Sequence, residues 1–192
     1  MREGDKGIVS LLKNDLNVAQ LLHISLSRPL TLKTDQKDSF LLRVKEAVLE
    51  SNVRAFNALV KDLSWHPNET KTRWFLVLRL EMSPQLSRLL DICNGAAKRF
   101  SQPLLYAEQR DGKNDTTGDQ FHISIAWSLQ QPKAHRRDVH LTESDSVQDT
   151  TGVPYALLGQ WTALSIAFGA VKLRIGQDVH AIALKARRQS HG

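Results

Sequence analysis

The chain has 192 residues, enough to bury a sizeable core as one domain or as two small lobes. Its 41% hydrophobic and 24% charged residues exclude wholesale disorder, and 26 Lys and Arg against 20 Asp and Glu give a net charge of +6 that favours polyanionic partners. The lone cysteine, Cys93, excludes an internal disulfide and any multi-cysteine zinc site, and no apolar run long enough for a signal peptide or a membrane span follows Met1.

In chain order, the first element is predicted where Leu22, Ile24 and Leu26 alternate with His23, Ser25 and Ser27, the period of a strand with one apolar and one polar face. Arg28-Pro29 ends it. Phe40, Leu41, Val44, Ala47 and Val48 then fall at helical spacing between Ser39 and Glu50. Helix and strand patterns compete from Val53 to Trp65, and the β-branched and aromatic residues there favour two short strands. Trp74 to Leu80 reads as a strand after the turn-like His66-Pro67-Asn68-Glu69. Ser83-Pro84 is an N-cap followed by proline at the first helical position, and it opens an apolar stripe through Leu86, Leu89, Leu90 and Ile92 toward Phe100.

Arg110 to Asp119 is rich in Gly, Asn, Asp and Thr and is expected to be a loop. Phe121, Ile123 and Ile125 next alternate with His122, Ser124 and Ala126, which predicts a second strand of the first one's design. A polar loop is expected from Gln130 to Thr151, a helix from Tyr155 to Phe168, and a hairpin from Val171–Ile175 and Val179–Leu184 around Gly176-Gln177-Asp178. The last residues, Arg187 to Gly192, are expected to fray.

The two segments Leu22-His23-Ile24-Ser25-Leu26 and Phe121-His122-Ile123-Ser124-Ile125 are a repeat of one strand, although they lie far apart in the chain. Side chains two apart on a strand face the same way, so each histidine projects with its serine while the isoleucine points to the core. Two such strands side by side would line one cleft. There one imidazole can accept the proton of an attacking oxygen while the other protonates the leaving oxygen of a phosphodiester. The serine hydroxyls can hold the non-bridging phosphate oxygens as charge develops. RNA supplies its own nucleophile in the 2′-hydroxyl, so this chemistry needs no metal and leaves a 2′,3′-cyclic phosphate. One His-x-Ser alone carries almost no information, since a wet strand face explains it equally well; the repetition carries the inference.

On these residues the sequence resembles the 2H phosphoesterase superfamily, and more narrowly its U6 snRNA phosphodiesterase branch. The supporting strings are Leu22 to Ser27, Lys71-Thr72-Arg73-Trp74-Phe75, Phe121 to Trp127, and the hairpin from Val171 to Gly176. The resemblance implies an α+β fold of residues 1–192 as a single domain, built from two pseudo-symmetric lobes that each contribute one His-x-Ser strand. Two antiparallel sheets would line a central cleft, with helices outside. It further implies a metal-independent 3′-to-5′ exonuclease that trims the oligouridine tail of U6 snRNA in the nucleus, leaving a cyclic phosphate or a 3′-phosphate. His23 and His122 would be the acid/base pair, in either order, and Ser25 and Ser124 the phosphate ligands. No cofactor, DNA or membrane partner is expected, and the protein is expected to be a monomer. Relatives carry an early strand upstream of the first motif, which this chain is expected to lack. They also place an aromatic residue before the second motif to stack on a base; Tyr106 is the candidate here, with a core tyrosine an equally good account.

Other readings compete. The same fold could act on small or tRNA-derived 2′,3′-cyclic phosphates, or serve as a non-catalytic RNA-binding module. His135 and His140 lack carboxylate or cysteine neighbours at ligand spacing, and a solvated loop accounts for them. Cys93 is expected to be buried packing, and Trp74 and Trp127 are expected to be core unless they border the cleft. Lys71 and Arg73 are weaker candidates for phosphate contacts.

Overall fold

A computed structural model describes residues 7–107, 121–130 and 164–187 of the chain. Among these residues the elements run β1 (Ile8–Ser10), a 3-10 turn (Thr34–Gln36), α1 (Lys37–Glu50), β2 (Phe56–Pro67), β3 (Trp74–Leu80), α2 (Pro84–Arg99), β4 (His122–Ser128), β5 (Ser165–Phe168), β6 (Ala170–Ile175) and β7 (Asp178–Ala183). The fold is α+β, as the sequence predicts. Two compact units share the chain, one comprising Met1–Ile24, Leu59–Leu80 and His122–Leu164, the other Ser25–Ala58, Glu81–Phe121 and Ser165–Gly192.

The first unit is an antiparallel sheet in the order β1-β4-β3-β2. Its β2–β3 hairpin is closed by Asn68, whose side-chain carbonyl accepts from the backbone N–H of Thr72 and Arg73 at 2.9 and 3.1 Å. An asparagine can mimic a backbone turn in this way. Leu63, Leu78, Leu80 and Ile123 lie buried on one face of the sheet, each 4% exposed or less. The ladder slips once between β2 and β3 and once between β3 and β4, where Leu76 and Val77 face Ala126 and Ser124 so that Ile125 is the extra residue. Such a bulge re-phases the strand, which keeps Trp127 on the face of Ser124 although the two are an odd number of residues apart.

The second unit packs α1 against α2. Phe40, Val44 and Val48 form the buried stripe of α1, spaced four apart. Phe40 meets Phe100 edge-on, with ring centroids 5.3 Å apart. Helix α2 begins where Ser83 Oγ accepts from Leu86 N at 3.2 Å, with Pro84 next, and it buries Leu86, Leu89, Leu90, Cys93, Ala96 and Ala97. Strands β6 and β7 form the predicted hairpin; Gly176 in its turn has φ of 62°, a conformation that costs glycine least. Phe56 stacks on Phe168 of β5.

Four expectations are corrected. Residues 22–26 form no strand. Leu22 is 41% exposed, so the apolar face that alternation implied is not buried there, and β4 already has β1 on one edge and β3 on the other, leaving no edge for a second His-x-Ser strand. Upstream, Lys13 and Ala19 bridge, and Gln20 N donates to Leu12 O at 2.8 Å, so local turns take up the backbone hydrogen bonds. Second, a strand does precede His23: it is β1, too short and exposed for periodicity to reveal. Third, Val53 to Trp65 holds one long strand rather than two short ones, because the kink is a bulge between Val60 and Asp62 and not a turn. Fourth, the end of the predicted Tyr155–Phe168 helix is strand β5, whose alternating exposure spans only four residues, too few to outweigh a composition that suits a helix. Arg110–Asp119, His135, His140 and residues 131–163 lie outside the described residues.

Candidate active site

Strand β4 carries the second motif as expected. Phe121 and Ile123 are 1% and 3% exposed and anchor the strand, while His122 and Ser124 are half-buried on its other face. Register defines what lies beside them. His122 pairs with Arg79 on β3, and Arg79 pairs with Asp62 on β2; in the next row Ser124 pairs with Val77, and Val77 with Ser64; in the next, Trp127 pairs with Phe75, and Phe75 with His66. Residues directly opposite one another on a sheet share a face, with Cβ atoms about 4.5–5.5 Å apart. One face of this unit therefore holds three rows, of which the first two carry the histidine and serine.

Arg79 and Asp62 form an ion pair on that face. The guanidinium donates through Nε and Nη2 to both carboxylate oxygens. A two-bonded fork fixes both side chains in one orientation and balances the positive charge beside His122. Neither residue belongs to a motif. The pair's signal was available: Arg79 is the one charged residue in the otherwise apolar run Trp74–Leu80, where a buried strand rarely accepts a charge without a partner. In the next two rows, Ser64 Oγ and His66 Nε2 lie 2.9 Å apart in a hydrogen bond, and Ser64 is only 7% exposed.

The first motif is placed differently. His23 is exposed in a segment without a sheet ladder, in the unit that holds His122 and Ser124; Ser25 is exposed too, and the division between the units falls just before it. Tyr106 is half-buried. Asn94 clamps the turn before it, donating to Leu105 O and accepting from Leu105 N, both at 2.9 Å. The Tyr106 ring stands edge-on to Phe121 with centroids 6.3 Å apart, and burial raises its hydroxyl's pKa. Arg73 lies over the Trp127 ring, 4.2 Å from its centroid. Cys93 is buried as expected, and burial pushes its thiol from the usual 9.0 to about 11.

A family model, described as HVSL, uncharacterised conserved protein, matches residues 2–183. The chain belongs to the HVSL family. Among curated proteins it is 34% identical over 199 residues to U6 snRNA phosphodiesterase 1 of Neurospora crassa, an alignment that covers 92% of this chain and 51% of that protein. It thus spans about half the length of the curated relative it matches. Among solved structures, Usb1 of Kluyveromyces marxianus superposes with TM-scores of 0.59 with uridine monophosphate and 0.60 without it, at 16% identity, covering 92% of this chain and 81% of the other. That likeness places this HVSL chain in the same fold.

Proposed function

We propose that this HVSL chain is an RNA phosphodiesterase that trims the oligouridine 3′ tail of U6 snRNA in the 3′-to-5′ direction, without a metal. The observation that carries the reading is its 34% identity to U6 snRNA phosphodiesterase 1 over 92% of the chain. The half-buried His122 and Ser124 on one strand face supply chemistry that suits it.

In this reading one imidazole of the His23 and His122 pair takes the proton from a ribose 2′-hydroxyl as its oxygen attacks the neighbouring phosphorus. The other gives a proton to the departing 5′-oxygen. Ser25 and Ser124 hold the non-bridging oxygens, and the charge they gain in the transition state strengthens those hydrogen bonds. The products are a 2′,3′-cyclic phosphate on the shortened chain and a released nucleoside with a free 5′-hydroxyl. If water then opens the ring with the two proton roles exchanged, the end becomes a 3′-phosphate. The fork of Arg79 on Asp62 orients the row in which His122 stands. The protein would act as a monomer in the nucleus.

The test is incubation of the full chain with a 3′-oligouridine RNA in EDTA, with mass analysis of the ends formed. Trimming that persists in chelator and disappears in His23→Ala and in His122→Ala is expected. Activity that needs an added divalent ion, or that survives both substitutions, would overturn the mechanism.

A further inference from the structure

The third row of the sheet face has no part in the proton transfers. It runs from His66 on β2 through Phe75 on β3 and Trp127 on β4 to Val9 on β1, each opposite the next in register. Such a line of large ring and apolar side chains on the polar face of a sheet is unusual, since cores claim these residues first. Here they stay accessible: Val9 is 44% exposed, and Phe75, Trp127 and His66 are half-buried. Exposed Arg73 lays its guanidinium over Trp127, 4.2 Å from the ring centroid. The row stands four residues along β3 from Arg79 and the His122 row, about 13 Å at the rise of a strand.

We propose that Trp127, Phe75 and His66, with Arg73 above Trp127, form a stacking site for the bases of single-stranded RNA whose phosphate lies over His122 and Ser124. The proposal rests on the reading of the chain as an RNA phosphodiesterase. Aromatic faces and arginine planes are the groups on which unpaired bases stack, and a positive charge beside them attracts the backbone that carries those bases. Lys71, exposed in the β2–β3 turn with Arg73, adds positive charge at that end.

The test measures binding, which does not depend on turnover. The full chain is titrated by fluorescence anisotropy against a labelled oligouridine made uncleavable by 2′-O-methylation, and against an abasic strand of equal length and charge. Trp127→Ala should weaken binding of the oligouridine by about ten-fold or more, Trp127→Phe should restore most of it, and both should bind the abasic strand as the parent does. Arg73→Ala, at an exposed position that does not threaten folding, should weaken the oligouridine more than Arg73→Lys, since only the planar group stacks. Equal binding by the parent and a folded Trp127→Ala or Arg73→Ala chain would overturn the stacking site and leave the phosphodiesterase reading standing. So would equal losses on the two strands. A parent chain that neither binds nor cleaves oligouridine would overturn both.

Discussion

His122 and Arg79 are neighbours across one step of the sheet, and that adjacency sets what their substitution should do. In the proposed mechanism each imidazole moves a proton, and loss of such a group costs about 10²- to 10⁴-fold in rate, so that reading expects His23→Ala and His122→Ala each to fall in that range in single-turnover cleavage. Arg79→Ala acts through others. It leaves the Asp62 carboxylate without its fork partner in a half-buried place, costing about 1–3 kcal/mol in a denaturant titration. It should also move the acid or base limb of the pH–rate profile, because the positive charge one strand from His122 is then gone. A profile of unchanged shape would mean that Arg79 serves the fold only. At Cys93 the folded thiol keeps its proton up to about 11, whereas an unfolded thiol has lost it beyond 9.0. The unfolded state is then favoured as pH rises through that window, so stability should fall there, and Cys93→Ala should flatten the decline seen in pH-dependent melts.

At the scale of elements, α2 was legible because its signals are local. Ser83 caps it, Pro84 starts it and Leu86, Leu89 and Leu90 of the expected stripe are buried, while Ile92 is only half-buried and Cys93 takes the buried position beside it. Removing the cap in Ser83→Ala should cost about 1 kcal/mol, and Leu90→Ala, at a position with no exposed area, about 2–5 kcal/mol by urea unfolding. Strands β3 and β4 and the β6–β7 hairpin were legible on the same terms, through alternation and turn residues. Residues 22–26 were not. Their alternation equals that of 121–125, yet a strand also needs a neighbour to receive its hydrogen bonds, and β4 has its two edges filled by β1 and β3. Alternation says which side chains would share a face; it is silent on whether a partner is free.

For the molecule as a whole, the net charge of +6 gives the proposed RNA ligand a testable signature, because neutralising phosphates releases counterions. Affinity for a single strand should therefore drop steadily as salt is raised from 50 to 200 mM, with a slope in log–log form that counts the phosphates engaged. An affinity flat across that range would speak against a nucleic-acid ligand. By itself the sequence determined helices α1 and α2 and the β6–β7 hairpin, since each rests on contacts a few residues apart, while the α+β class came with the family resemblance. Only the tertiary structure decided the rest. Pairing across β2, β3 and β4 aligned Asp62 and Arg79 with His122, and put Trp127, Phe75 and His66 in one row, from segments with no local signal linking them. A bulge at Ile125 kept Trp127 on the face of Ser124, and no periodicity of two could have predicted that phase. Neighbours across a sheet are chosen by register, which depends on every strand at once, and so the His-x-Ser repeat could be read from the chain while the side chains around it could not.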